Sequence, residues 1–437
     1  MTMNLAVALG AIVSLLVLIG LRVPIGLALG VVSLIGLMIV RSTESALGIF
    51  ADLPFEFGAN WSLSAVPMFL LMGSIAFHTG MTGSLFHAAR LWLSGLPGGL
   101  AVATNFASAG FAAASGSSLA TAAAMGRLAI PEMLRMRYDP ALATGVVAAS
   151  GTLGSLIPPS ILFVLYGWFT ETSIGALLIA GLLPGLLTAF VYAAMIIGRC
   201  IANPQLAPRG DDHITWGQRW AVLLEIWPIP LLVLSVIGGI YSGIATATEA
   251  AALGALMALL ISLARGKLTW LAFRTSVTEA LESTASIFFV AIGALLLTRL
   301  LALAGLPTIM AASISDFALD PLYLIIGVSI VYLILGCFLD PLGLMLLTLP
   351  VFQPMFQAVH LDLIWVGVIV VKYIEIGLLT PPVGLNAYVV KGVVGNAVPL
   401  TTIFRGLAWF IGAEAIIMVL LIAFPEISTY LPSKMMP

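Results

Sequence analysis

The chain has 437 residues, 61% hydrophobic and only 8% charged, with a formal net charge of −2. A soluble domain carries about a quarter charged residues, so nothing here could cover a water-facing surface, and a polytopic α-helical membrane protein is implied. The apolar runs are continuous over helix lengths and do not alternate with period two, which excludes a β-barrel. The near-neutral charge offers nothing to nucleic acid. The two cysteines and four histidines are scattered, so no disulfide framework and no His/Cys metal cluster are expected.

Taken in order, spanning runs are predicted at Leu5–Leu21, Val23–Val40 and Leu63–His78. The N-terminus lacks a basic n-region and a clean cleavage site, so the first run reads as an uncleaved helix. Next come two short arms, Leu96–Ala113 and Leu119–Leu134, around a small-residue tip, AASGSS (Ala113–Ser118). A span needs about 20 residues, and arms this short suit a re-entrant hairpin whose tip stops near the midplane. An interrupted helix follows from Ala141 to Trp168, then spans at Ile174–Ile197, Trp220–Ile240, Ala245–Leu263 and Ser283–Leu303. A second pair of arms, Leu322–Gly336 and Leu342–Phe356, surrounds the tip CFLDPLG (Cys337–Gly343). A second interrupted helix runs from Leu363 to Val390, and a last span covers Ile403–Phe424. The longest polar segment, Arg199–Arg219, separates two halves.

The interrupted helices carry the strongest signal. Gly151–Gly167 reads GTLGSLIPPSILFVLYG and Ile374–Val390 reads IEIGLLTPPVGLNAYVV. Paired prolines remove two donors and clash with the preceding turn, so a regular helix cannot pass through them. Freed carbonyls are tolerated in a membrane only where protein or a polar ligand satisfies them. A broken apolar helix present twice points to a midplane ion and substrate site of a secondary transporter. One constant offset pairs Pro131 with Pro354, Asp139 with Asp362, Gly154 with Gly377, and Pro158-Pro159 with Pro381-Pro382, without a gap. The residues that shape the backbone repeat while the apolar filler does not, as expected of an internal duplication.

Charge sets the orientation. Placing Arg90, Arg135 and Arg137 in the cytoplasm also brings Arg22, Arg199, Arg209, Arg219, Arg265, Lys267, Arg274, Lys391 and Arg405 to that side. Glu44, Asp52, Glu56, Glu171, Asp316 and Asp320 then fall outside, as do both termini; Arg41 and Lys434 also fall outside, and Arg299 sits near the outer end of its span. An odd number of crossings separates the two hairpins, so the second enters from the opposite face, an inverted-topology repeat.

These motifs bear a specific resemblance. PMFLLMG (Pro67–Gly73), ASGSSLATAAAMGRLAIPEM (Ala114–Met133), YDPALA (Tyr138–Ala143), GTLGSLIPPS (Gly151–Ser160), GGIYSGIATATEAAALG (Gly238–Gly254) and EIGLLTPPVGLN (Glu375–Asn386) together resemble the large membrane subunit of tripartite ATP-independent periplasmic (TRAP) transporters. The resemblance covers nearly the whole chain. It implies an all-α, inverted-repeat, elevator-type transporter in a bacterial or archaeal inner membrane. The activity implied is Na⁺-driven uptake of an organic anion such as a C4-dicarboxylate, without enzymatic chemistry or a cofactor beyond the coupling ion. The implied partners are a small four-helix membrane subunit, expected as a separate chain, and a periplasmic solute-binding protein. Domain limits follow: scaffold helices over 1–80, one half of the transport domain over 81–172, scaffold helices and linker over 173–305, the other half over 306–398, and a C-terminal helix over 399–437.

Candidate sites follow the tips and breaks. Oxygens of Ser115, Gly116 and Ser117, with carbonyls freed at Gly151, Gly154 and Pro158, frame a first Na⁺ site, because hard cations take oxygen ligands. The serines also fit as helix N-caps. Phe338, Asp340, Gly377, Thr380 and Asn386 frame a second Na⁺ site, although Asp340 before Pro341 equally suits an N-cap. Ser118, Thr152, Ser160 and Asn386 are candidate substrate ligands, aided by helix N-termini suited to a carboxylate. Lys372 and Glu375, at i and i+3, read as a structural ion pair, and Glu249 as part of a capping motif. Arg127 either snorkels to the cytoplasmic surface or reaches the anion.

Three other classes compete. A self-sufficient divalent-anion/Na⁺ symporter would carry Ser-Asn-Thr at its tips, where this chain has Ser-Gly-Ser-Ser and Asp-Pro. An intramembrane enzyme needs a nucleophile–base set or an Asp pair, and the four histidines lie at or near span ends. A channel is not excluded by repeated breaks.

Overall fold

The computed structural model describes residues 2–208, 215–310 and 321–435, and among these there are helices and connecting turns but no strand. Arg209, Asp316 and Asp320, used in the charge count, lie outside the described residues. Among the described residues six helices are long and apolar enough to cross a membrane, and the bent pair Pro140–Leu156 with Ile161–Phe169 makes a seventh if counted as one span. The apolar helical segments Asn4–Gly20 and Ile25–Val40 are shorter.

Both hairpins form. The first joins Gly99–Ser115 to Ser118–Arg135 through Gly116 and Ser117. Gly116 has φ 64°, a left-handed conformation that ends the first arm, and the Ser117 side chain caps the second by accepting from Ala120 N. The second joins Pro321–Gly336 to Pro341–Ala358, with Asp340 capping the second arm by accepting from Gly343 N at 3.0 Å. Both predicted breaks are present. The first lies between Leu156 and Ile161, and the second between Leu379 and Leu385. Pro158-Pro159 and Pro381-Pro382 are both cis. Asp139 and Asp362, equivalent in the repeat, each cap the helix that leads into a break.

Two helices were not predicted: Thr43–Gly58 and Met81–Leu93. Each has polar residues on one face and is too short or too polar to register as a span. The helix predicted from Ser283 starts at Trp270, with Thr269 as its cap, and runs 34 residues to Leu303. Arg274, Glu279 and Glu282 lie in the added N-terminal part and leave the helix intact. Thr246 and Glu249 form a reciprocal capping box, as the sequence suggested.

The helices form two packing neighbourhoods, which touch where Ala65–His78 meets Gly99–Ser115 and where Trp270–Leu303 meets Pro341–Ala358. Trp270–Leu303 lies on Ile25–Val40 and Ala65–His78, and Ala247–Ala264 also lies on Ala65–His78. In the other group, Ser118–Arg135 packs on Pro140–Gly151, and Leu400–Ala423 packs on Pro140–Gly151 and Leu363–Leu379. Leu182–Ala202 joins this second group through Gly99–Ser115 and Leu400–Ala423. Small residues allow the close crossings, since lipid supplies no hydrophobic drive between helices. A Cβ on Gly145 would lie 2.8 Å from the Gly406 carbonyl carbon, and one on Gly293 2.8 Å from the Gly26 carbonyl oxygen.

Candidate functional site

The first tip and the first break form one buried cluster. The Ser115 hydroxyl lies 2.8 Å from Thr121 Oγ1, which donates to the Ser117 carbonyl at 2.8 Å. Gly154 leaves room for that turn: a Cβ there would sit 2.7 Å from both the Ser117 carbonyl carbon and Thr121 Oγ1. Gly116 abuts the Pro159 carbonyl in the same way, at 2.5 Å, and Gly151 faces the Ser118 carbonyl at 3.2 Å. Pro158 is buried in the same break. The six residues predicted for a first cation site are thus drawn from two segments that touch.

The second set is looser. Gly377 presses on the neck of the second hairpin, where a Cβ would lie 2.7 Å from Gly336 Cα. The Thr380 hydroxyl donates to the Ile376 carbonyl of its own helix at 2.7 Å, and the Asp340 carboxylate is engaged as a cap. The Phe338 side chain is exposed. Asn386 crosses to the other repeat: its Nδ2 donates to the Ala148 carbonyl at 2.9 Å, while its Oδ1 is buried without a partner.

Both tips face one cavity of about 420 Å³, lined by Gly116, Ser117, Ser118 and Ser155 from the first repeat, Asp340 from the second, and Glu282 from the long helix. A second cavity of about 280 Å³ shares Leu70, Ser117 and Ser283 with it and reaches Arg127 and His78. His78 and Ser74 both hydrogen-bond Glu279 there, at 2.9 and 2.5 Å. Of the predicted substrate ligands, Ser118 lines the cavity between the tips. Thr152 and Ser160 are buried in the break, their hydroxyls bonded to the Ala149 carbonyl and capping Phe163 N.

Two interactions differ from expectation. Lys372 pairs with Glu414 rather than Glu375: its Nζ lies 2.7 and 2.6 Å from the two Glu414 oxygens and 3.1 Å from Thr188 Oγ1. Tyr192 donates to the same carboxylate. Glu375 turns instead to the first tip, where Ser118 donates to its Oε1 at 2.7 Å and Ser155 lies 2.6 Å from Ser118. Sequence reasoning did not single out Ser155 or Glu414. The signals were present: Ser155 sits inside the break motif, and Glu414 is an acid in the middle of an apolar span.

Among the described residues the fold is all-helical, and both hairpin tips and the first interrupted helix meet at one cavity, while the second interrupted helix packs behind it through Glu375, an arrangement of the kind found in membrane transporters. Residues 12–427 match the family described as "Tripartite ATP-independent periplasmic transporter, DctM component". The chain belongs to this family. It is 36% identical over 392 residues to the C4-dicarboxylate TRAP transporter large permease protein DctM of Pseudomonas aeruginosa, covering 87% of this chain and 86% of that one. It is 32% identical over 425 residues to the sialic acid TRAP transporter large permease protein SiaM of Vibrio cholerae, covering 97% and 98%. Its relatives are permeases, and it is a multi-pass transport protein rather than an enzyme. Among solved structures it resembles Neisseria gonorrhoeae MtrF in fold, with a TM-score of 0.58, 15% identity, and 88% and 85% of the two chains covered.

Proposed function

We propose that this protein is the permease of a Na⁺-coupled system importing an organic anion, a C4-dicarboxylate or another carboxylate, delivered by a periplasmic solute-binding protein. The observation that carries the reading is the meeting of both hairpin tips at one cavity of about 420 Å³, large enough for a small acid. Oxygens at Ser115, Gly116, Ser117, Gly151, Gly154 and Pro158 would hold one Na⁺. Those at Phe338, Asp340, Gly377, Thr380 and Asn386 would hold a second. The bound cations would offset the acid lining contributed by Asp340 and Glu282 and so admit an anion.

Transport would follow an elevator scheme. The body of hairpins and interrupted helices would slide against scaffold helices that include Trp270–Leu303; Leu182–Ala202, expected in the scaffold, packs on Gly99–Ser115 and Leu400–Ala423 and would instead move with the body. The chain would reside in a cytoplasmic membrane with the base of the first hairpin inside and both termini periplasmic, as Lys and Arg placement favours. A small four-helix membrane subunit and the binding protein would complete the assembly. The relatives' substrates, a C4-dicarboxylate and sialic acid by name, motivate the choice of an acidic substrate.

The test is uptake of labelled succinate and sialic acid into proteoliposomes holding this chain, its small subunit and the binding protein. Accumulation is expected only with an inward Na⁺ gradient and with the binding protein present. Accumulation of either acid without Na⁺, or without the binding protein, would overturn the reading.

A further inference from the structure

Glu375 is fully buried, comes from the second repeat, and reaches a serine pair of the first. Ser118 and Ser155 are each almost wholly buried yet both line the cavity between the tips. A hydroxyl has one proton and two lone pairs. Ser118 spends its proton on Glu375 Oε1, at 2.7 Å. The contact of 2.6 Å between Ser118 Oγ and Ser155 Oγ therefore needs the proton of Ser155. Both hydroxyl protons are then committed inside the protein, and only lone pairs remain for the cavity. Lys372, one turn away on the same helix, makes its hydrogen bonds to Glu414 and Thr188 instead of to this carboxylate.

We infer that Glu375 is a positioning residue that sets the hydrogen-bond polarity of the first tip. Through Ser118 it makes the serine pair an acceptor surface, suited to a hard cation or to a hydroxyl of the substrate and unsuited to a carboxylate oxygen. The substrate's carboxylate is bound elsewhere in the cavity. The arrangement also ties the second interrupted helix to occupancy of the first tip, since a ligand on Ser118 acts on a hydroxyl that Glu375 orients.

The inference deepens the functional reading above, and one arm of its test is independent of transport. That arm is thermal unfolding of the purified complex as Na⁺ replaces K⁺ at constant ionic strength. The other arm is the Na⁺ and substrate dependence of uptake in proteoliposomes. Glu375→Met removes the acceptor while keeping bulk, and an apolar side chain is well tolerated in a membrane helix. It is expected to raise the half-saturating Na⁺ concentration, or the substrate KM for a hydroxyl-bearing acid, at least tenfold. Glu375→Gln keeps an acceptor oxygen and is expected to stay within about threefold of wild type, because a neutral amide still accepts one hydrogen bond. Ser118→Ala alone should reproduce the methionine variant, and the double variant should lose no more than either single one. A purely packing role would instead give additive losses of stability with unchanged half-saturation. Wild-type half-saturation in Ser118→Ala overturns the inference, whether or not Glu375→Met folds. Absence of any Na⁺ response in the wild-type protein would count against the functional reading itself.

Discussion

Lys372 and Glu414 are both buried within apolar helices and hold one another at 2.6 to 2.7 Å. Removing one member of such a pair strands a charge in low dielectric and costs about 3–5 kcal/mol, whereas replacing both with apolar groups is often neutral. Lys372→Met and Glu414→Leu should each lower the unfolding temperature markedly in detergent, and the double variant should recover most of the loss. Equal loss in all three would mean that the pair itself, and not charge balance, stabilises the bundle. The neighbouring Thr188 and Tyr192 belong to Leu182–Ala202, so the pair also links that helix to Leu363–Leu379 and Leu400–Ala423. None of this could be read from local spacing. Lys372 and Glu375 share a helix face, which made them look like partners, but a lysine stem reaches across helices as easily as along one. The partner lies 42 residues away and only the fold reveals it.

At the scale of the element, the repeated glycines have a common cause. Gly154 backs the turn of the first hairpin at Ser117, and Gly377 backs the neck of the second at Gly336. In each half the helix that leads into the break passes its own hairpin so closely that a methyl group has no space. Gly154→Ala and Gly377→Ala should each cost about 1–3 kcal/mol by overpacking. Both should depress Na⁺-dependent uptake while leaving membrane insertion intact. Gly412, whose Cβ direction is open, is the control: Gly412→Ala should behave as wild type. Normal uptake by both repeat variants would show that the approach is not functional. These elements were legible because prolines, glycines and short arms act through the backbone, whose rules are local. Thr43–Gly58 and Met81–Leu93 were not, because a helix with one polar face lacks the long apolar run that marks a span. The approach of the first tip to the first break was legible for the same backbone reason. Asn386 is a candidate ligand from its sequence context alone, whereas its crossing to Ala148 depends on how the two repeats dock.

For the whole molecule, the two halves of the chain are interleaved rather than stacked. Glu375 reaches Ser118, Asn386 reaches Ala148, Tyr166 donates to the Leu363 carbonyl at 2.9 Å, and Leu385–Val394 packs along Ser118–Arg135. Each half therefore supplies hydrogen-bond partners that the other cannot provide for itself. The polar segment Arg199–Arg219 joins them covalently and supplies none of these four contacts, although its Leu206 carbonyl accepts from Asp139 N at 2.8 Å. A gene split between residues 208 and 209 should yield two polypeptides that copurify through a tag on either one and restore uptake when co-expressed. Separation of the two in mild detergent would show that covalent connection is needed for assembly. Two-piece assembly would make the centre of the chain a permissive place for insertion of a reporter domain. It would also mean that such a permease could be encoded by two open reading frames without losing its binding cavity.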